Sequence, residues 1–482
     1  MATLALALAA CGSRLDPEAV RAANGSTQVT AVDSSGNPVT TGPVTDGGTD
    51  PAAPVDPGTP ADPGAPTDPG APADPGETTG TDTGGDDGGP TAPPVDPDEA
   101  GSCDGFKNGP GITDDTITIG NSSDISGPVP GLFETAQDGI KAFVAYFNAS
   151  VPDGICGRKL SLKTYDSATD ASADQRNYAA ACNEVFAMIG SQSAFDLGGA
   201  KTAQDCGLPD IRAGAVTFER NACTTCFSTV ANNTNTFENA VPDFIKRKYG
   251  SDAAANVAYL YTNAGAAAQN ALAQKAAMEK RGLKFTYVQG IDVSEFNYAP
   301  YVQAMKDRGV QTVFFTTSYQ YSVKMRQAMQ QQNFTPKLYI RDPTDYNPDF
   351  VATGGSAVEG TVVYMNFVPF EEANKNAETG LYTSWLQQAK PGADPLFFGV
   401  FAWSAGRLFV DLANKLGGKL SRETLIAELR KVKDWTANDL HSPQPVGSKQ
   451  TGECWRFVQL QGGKWVPIDG TKYSCTGVSS VR

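Results

Sequence analysis

The chain has one histidine in 482 residues, His441, set in the Pro-rich turn His441-Ser442-Pro443. Ser-His and Cys-His catalysis therefore lack a plausible base, and no enzymatic activity is expected. No Gly-rich phosphate loop sits between a strand and a helix, and no metal-ligating residues cluster, so neither a cofactor nor a metal is expected. Basic residues are scarce: 38 Lys and Arg stand against 53 Asp and Glu, a formal net charge of -15. Phosphate backbones need a basic patch, so nucleic acid is not an expected partner. Beyond the N-terminal segment, no apolar run approaches the about 20 residues that cross a bilayer. Aromatic residues are missing until Phe106.

Between about Ser13 and Ser102 large aliphatic residues are few as well, and Pro, Gly, Asp, Thr and Ala dominate, with near-repeats such as Ala61-Asp62-Pro63-Gly64 and Ala73-Asp74-Pro75-Gly76. Such a segment cannot bury enough apolar surface to offset its ordering entropy, so it is expected to be disordered. As a flexible coil, about 90 residues reach roughly 50 Å, and Pro and Asp extend that further. Ahead of it, the apolar run Leu4 to Ala10 ends in Leu8-Ala9-Ala10-Cys11. This resembles a bacterial lipoprotein signal, in which the cysteine is lipidated and the chain cleaved just before it. The resemblance implies a signal peptide over residues 1–10, lipidation at Cys11, a tether over 11–105, and a protein held on the outer face of the bacterial cell membrane by its lipid alone. Such signals carry Lys or Arg ahead of the apolar run. None is present here, so the natural start is expected upstream.

Setting Cys11 aside, eight cysteines remain: Cys103, Cys156, Cys182, Cys206, Cys223, Cys226, Cys454 and Cys475. In an exported protein an even count reads as a disulfide framework, though sequence alone permits 105 connectivities. Locality favours Cys223–Cys226 and Cys454–Cys475, the latter closing a loop of about 20 residues worth about 3 kcal/mol. Cys182–Cys206 and Cys103–Cys156 are the expected remaining pairs. The C-x-x-C at Cys223 also admits a redox pair or half a zinc site. It sits in a polar stretch rather than at the start of a helix, which favours a structural disulfide.

Strand and helix patterns alternate from Thr116 onward. Thr116-Ile117-Thr118-Ile119 reads as a strand, and Ala136, Ile140, Phe143, Val144 and Phe147 follow at helical spacing. Leu160 and Leu162, Val185 to Ile189 and Leu208 to Ala213 mark further strands, with helices between. The pattern restarts with a helix from Glu238 to Tyr249 and strands at Val257–Tyr261, Phe285–Val288, Thr312–Thr316 and Leu338–Ile340. Gly282 and Gly309 stop two of the intervening helices. Two successive series imply an α/β protein with two doubly wound parallel sheets. Helices at Leu381–Ala389 and Val400–Leu416, another capped by Ser421, and a hairpin around Gly462-Gly463 complete the chain. The late helices are too many for the second lobe, so a return to the first is expected.

Gly111-Ile112-Thr113-Asp114-Asp115-Thr116-Ile117-Thr118-Ile119-Gly120, followed by Asp124-Ile125-Ser126-Gly127-Pro128, resembles the opening of type I periplasmic binding proteins of the leucine/isoleucine/valine-binding class. Tyr165-Asp166, Gly190-Ser191 and Val358-Glu359-Gly360 continue the likeness, which covers nearly all of residues 112 to 470. It implies two lobes joined by three crossovers, one built from 106–232 and 364–441, the other from 233–363 and 442–482. It also implies a monomeric solute receptor, partnered with the permease subunits of an ABC importer, that closes on a small polar molecule such as a branched-chain amino acid or a related amide or carboxylate. The same module serves alternatively as a ligand-sensing surface lipoprotein without transport.

Ligands of open α/β sheets bind beyond the carboxyl ends of the strands. The candidate binding residues are accordingly in the loops there: Ser126 in the first; Ser193, Ala194 and Phe195 after the third strand; Gly214, Ala215 and Thr217 after the fourth; and Asn263, Tyr319 and Asp342 in the second lobe. By the resemblance, the hydroxyls of Ser193 and Thr217 and backbone N–H groups of Gly214 and Ala215 grip a carboxylate, and Asp342 pairs an ammonium. Phe195 and Tyr319 are placed to stack on an apolar or planar ligand. Three positions depart from the family pattern. Leu132, with Phe133 beside it, stands where an aromatic is usual, Ala194 or Phe195 replaces a serine, and Arg341 puts a positive charge beside Asp342.

Overall fold

The computed structural model describes residues 100–481 together with two short strands, Ala31–Val32 (β1) and Pro38–Val39 (β2), which pair antiparallel. The signal segment, Cys11 and most of the expected tether lie outside the described residues; its last residues, 100–105, are described and held to the folded unit, with the Gly101 N–H on Asn414 O (2.9 Å) and Cys103 bonded to Cys156, so the folded chain starts earlier than 106. The rest of the described chain belongs to a second unit, Gly85–Arg482.

In the first lobe, β3 (Thr116–Ser123), α1 (Glu134–Ser150), β4 (Lys159–Asp166), α2 (Ala171–Glu184), β5 (Ala187–Ile189), α3 (Leu197–Asp205), β6 (Asp210–Gly214), α4 (Phe218–Ala222) and β7 (Cys226–Val230) follow one another. The sheet is wholly parallel, in the order β4-β3-β5-β6-β7. Ala136, Ile140, Phe143 and Phe147 are buried along one face of α1, as their 3.6-residue spacing requires. Asp170 starts α2 by accepting the Ala173 N–H.

The chain then passes through β8 (Thr236–Glu238) into the second lobe: α5 (Ala240–Ala255), β9 (Val257–Thr262), α6 (Ala267–Lys280), β10 (Phe285–Ile291), α7 (Ala299–Asp307), β11 (Thr312–Thr316), α8 (Tyr319–Gln331), β12 (Leu338–Arg341), α9 (Pro348–Gly354) and β13 (Val362–Met365). It returns with α10 (Ala377–Ala389), α11 (Phe397–Leu416) and α12 (Arg422–Leu429). β14 (Cys454–Gln461), β15 (Lys464–Pro467), β16 (Ser474–Cys475) and β17 (Val478–Ser480) complete it. The second sheet runs β10-β9-β11-β12-β13-β14-β15. Its strands are parallel from β10 to β13, but β14 and β15 are antiparallel. The sheet is therefore mixed rather than purely parallel, because the terminal hairpin adds to its edge.

The late helices return to the first lobe. α10 and α11 pack on α1, and α11 also lies against β6. Trp403, at the centre of α11, is fully buried beside Phe143 and Tyr382. Three connections cross between the lobes and are hydrogen-bonded side by side. The Ala231 N–H donates to Gln444 Oε1 (3.1 Å), the Asn233 N–H to Thr451 Oγ1 (2.9 Å), and the Ser442 N–H to Asn366 O (2.7 Å).

Several boundaries differ from the periodicity by a few residues. The helix expected to begin at Glu238 begins at Ala240, because Glu238 pairs with Val478 in the small β8–β17 ribbon. β7 and the short α4 and α9 were not expected. β7 carries a polar sequence, yet it is covered on the edge of the first sheet. The eight described cysteines form Cys103–Cys156, Cys182–Cys206, Cys223–Cys226 and Cys454–Cys475. No helix of the described residues is long and apolar enough to cross a membrane.

Candidate functional site

Between the lobes, at the carboxyl ends of the parallel strands, lies a cavity of about 480 Å³. The loop after β3 contributes Val129, Leu132 and Phe133, the loop after β5 Ala194 and Phe195, and the end of β6 Gly214, Ala215 and Val216. From the second lobe come Thr262, Thr316, Thr317, Ser318 and Asp342. The crossovers supply Phe237, Glu238, Tyr364, Thr451 and Trp455, and Phe397 and Phe398 at the start of α11 complete the wall. Phe133 meets Phe398 edge to face at 4.7 Å, and Tyr364 meets both Phe237 and Trp455. The surface is largely aromatic and aliphatic. Among the described residues its only charged side chains are Glu238 and Asp342, and none of the described Lys, Arg or His residues lines it.

The lobes touch across the cavity. The Ala266 N–H donates to Ala194 O (3.1 Å), and the Asn270 side-chain amide to Val216 O (3.0 Å). Gly265 sits at this contact with φ +53°, and a Cβ there would lie 2.8 Å from Ala194 O. Both the left-handed backbone and the close approach favour glycine.

Of the expected binding residues, Ala194, Phe195, Gly214, Ala215 and Asp342 line this cavity, as do Leu132 and Phe133. Ser126, Ser193, Thr217, Asn263 and Tyr319 do not, and the hydroxyls of Ser126, Ser193, Thr217 and Tyr319 are engaged elsewhere. Ser126 donates to Asp166 Oδ2 (2.5 Å) on the exposed side of the first loop. Ser193 Oγ accepts the Phe195 N–H (3.1 Å), and the Ala194 N–H is taken by Asp124 (2.8 Å). Thr217 donates to Asp196 (2.5 Å) while capping α4 through the Arg220 N–H. Asp196 also accepts the Val216 N–H (2.9 Å). The two hydroxyls expected to grip a carboxylate therefore brace the loops instead. Behind them Asp174, Asp210, Arg212 and Arg220 form a fully buried ion cluster around Tyr178. Asn263 is exposed, with its backbone N–H on Ile291 O. Tyr319 lines an adjoining cleft of about 370 Å³ and donates to Asp349 (3.2 Å).

Arg341 is buried and used internally. It makes a two-pronged pair with Asp345 (2.8 and 3.1 Å) and donates to Thr317 O (2.7 Å). It does not line the cavity, so the positive charge read beside Asp342 does not face a ligand there. Asp342 accepts the Thr344 N–H (2.9 Å) and hydroxyl and lies 3.7 Å from the Arg341 guanidinium, with its carboxylate partly exposed at the cavity wall.

Glu238 was missed because periodicity assigned it to a helix. Its side chain is buried and Oε1 has no hydrogen-bond partner. Burial pushes its carboxyl up to about 8, and the negative charge of Asp342 adds to the rise. The hinge-side aromatics Phe237, Tyr364 and Trp455 were also missed, since only the crossovers bring them to the cleft. His441 is buried in the first lobe, where its Nε2 shares a 2.8 Å hydrogen bond with Ser404 and its ring stacks on Phe401. Burial holds it down to about 4. This Ser–His pair lies outside the cavity lining.

A family model described as periplasmic binding protein matches residues 116–464. The chain belongs to this family. Members of this periplasmic binding protein family are extracytoplasmic solute receptors rather than enzymes. Solved structures share the fold. The fatty acid ABC transporter substrate-binding protein from Thermomonospora curvata is 18% identical with a TM-score of 0.66, covering 78% of this chain and 97% of its own. The branched-chain amino acid transporter substrate-binding protein LivJ from Streptococcus pneumoniae, in complex with isoleucine, is 14% identical with a TM-score of 0.62, covering 74% and 99%. A solute-binding protein of an ABC transporter from R. palustris, in complex with 4-hydroxybenzoate, is 18% identical with a TM-score of 0.59, covering 75% and 97%. No curated protein sequence matches the chain. The periplasmic binding protein fold is thus of the type I class that includes the leucine-binding proteins.

Proposed function

We propose that this chain is the solute-binding lipoprotein of an ABC importer, anchored through Cys11, with residues 11–99 as tether. Its lobes would comprise 100–232 with 364–441 and 233–363 with 442–482. The observation that carries this reading is the half-open cavity where the strand ends of both lobes meet. Its volume lies within the about 300–1,000 Å³ of small-molecule sites. The aromatic lining favours a solute with a larger apolar body than the polar amino acid or amide expected from the sequence. Asp342 favours a protonated amine at the second-lobe end, because a charge buried on closure needs a paired partner. Phe195 supports the apolar body, with Gly214 and Ala215 beside it.

Mass spectrometry of solutes released from the protein purified from its native membrane tests the reading, together with uptake of the identified solute by cells lacking the gene. An amine with an apolar body, whose uptake needs this protein, is the expected result. Unchanged uptake of the released solute in the deletion strain would overturn the import role. Cys11→Ala should move the protein from the membrane to the soluble fraction. Retention after a salt wash would overturn the anchor.

A further inference from the structure

We propose that Glu238 is a second cation-recognising carboxyl of the cavity, and that the ligand is a net-cationic amine with an apolar body rather than a carboxylic acid or a net-neutral amino acid. This rests on the solute-receptor reading and sharpens its ligand class. Three observations converge on it. Glu238 is only 3% exposed, yet its Oε1 has no hydrogen-bond partner and the residue lines the cavity. Buried polar groups in native proteins are almost always paired, so an unpaired buried carboxyl oxygen on a residue of the cavity wall is a place for a donor that arrives with the ligand. Among the described residues no positive side chain lines the cavity, whereas two carboxyls do. A ligand carboxylate would therefore enter a site walled by two acids, with the one nearby cation, Arg341, behind Asp342 and outside the lining, whereas a ligand ammonium would find Glu238 unpaired.

The groups around Glu238 reinforce the sign. Asp342 after β12 raises its proton affinity further. Tyr259 on β9 and Tyr364 on β13 also feel its charge, and burial keeps both phenols in the neutral form. The nearby Arg341 pairs closely with Asp345 (2.8 Å) and more distantly with Asp342 (3.7 Å), so it partly offsets Asp342 and leaves Glu238 without a cationic partner of its own. The free protein consequently holds Glu238 protonated at pH 7. When an ammonium arrives beside it, the Glu238 O–H bond breaks, the proton passes to buffer, and the carboxylate left behind pairs with the ligand cation. Binding and proton release are thereby coupled.

Calorimetry of the purified chain tests this with three probes: 2-phenylethylamine, 3-phenylpropionate and L-leucine, each in phosphate and in Tris at pH 7. The difference in heat between the buffers counts protons. Phenylethylamine should bind more tightly than phenylpropionate, with close to one proton released. E238Q should lower its affinity by at least about thirtyfold, the usual minimum for losing one partner of a buried charge pair, and abolish the release. Proton release by the parent should also vanish at pH 9, a readout that needs no variant to fold. Tighter binding of phenylpropionate, or an unchanged proton count in E238Q, overturns the proposal. Release from the native protein of an uncharged or anionic solute overturns the role of Glu238 but leaves a solute receptor. A cleft that releases no solute and binds none of the three probes removes both readings.

Discussion

Replacing Glu238 by Gln should stabilise the unliganded protein, increasingly so as the pH rises. The side chain keeps its shape and its one unpaired oxygen position, so the substitution chiefly removes the ability to ionise. In the folded chain burial raises the carboxyl from its ordinary 4.5 to about 8. Between those values the folded state holds a proton that the unfolded state has lost, so stability must fall as pH rises through the window. Each pH unit is worth about 1.4 kcal/mol. From 4.5 to 7 that amounts to about 3 kcal/mol, and the loss levels off above pH 8 at about 5 kcal/mol. Below pH 4.5 both states are protonated, and parent and E238Q should unfold alike. Urea unfolding followed by tryptophan fluorescence at pH 4.5, 6, 7 and 8 measures the difference directly. Parallel curves for the two proteins across that range would refute the argument, because they would mean that the carboxyl is already ionised and paired in the fold. A gain in stability that accompanies weaker ligand binding is the pattern expected of a residue kept strained for function.

The other predictions follow from contacts described above. Asp342→Asn should weaken phenylethylamine binding by about 2 kcal/mol, less than a fully buried pair would lose, because the carboxylate is partly exposed; calorimetry showing no change would remove Asp342 from the site. Arg341→Gln leaves Asp345 buried without its counter-charge and should cost about 3–5 kcal/mol of stability. Its effect should appear in denaturant midpoints, while ligand affinity of the folded fraction changes little. Gly265→Val puts side-chain atoms against Ala194 O and strains a left-handed residue, so the lobes should fail to meet. Small-angle scattering with ligand should show a persistently larger radius of gyration than in the parent, and an identical radius would place closure elsewhere.

Much of the scaffold was legible before any coordinates. Thr116 to Gly120, Ala136 to Phe147 and the glycine stops at Gly282 and Gly309 carry their element type in local periodicity, because burial of one helix face or of a central strand dictates which positions are apolar. The loops at the carboxyl ends of the strands were located by the same logic, which is why Ala194, Phe195, Gly214, Ala215 and Asp342 reach the cavity. Of the cysteine pairs, Cys223–Cys226 and Cys454–Cys475 were close enough in sequence for locality to favour them, whereas Cys103–Cys156 spans 53 residues. What a loop residue does with its polar atoms is a different matter. Ser193 and Thr217 have the chemistry of ligand donors, yet the neighbouring carboxylates of Asp124 and Asp196, brought in from other loops, use that region for bracing. Arg341 stands next to Asp342 in the chain but turns to Asp345.

By itself, then, the sequence determined the alternation of strands and helices, the two-lobed organisation and the position of the cleft, all of which follow from short-range apolar spacing and from chain direction. Only the tertiary structure decided the chemistry of the cavity. Three crossovers distant in sequence bring Glu238, Tyr364 and Trp455 to one wall, and the pairing of β8 with β17 turns Glu238 out of a helix and into the cleft. Burial, counter-charge and hydrogen-bond satisfaction are properties of that assembled wall, since each depends on groups that only folding brings within a few ångströms of one another.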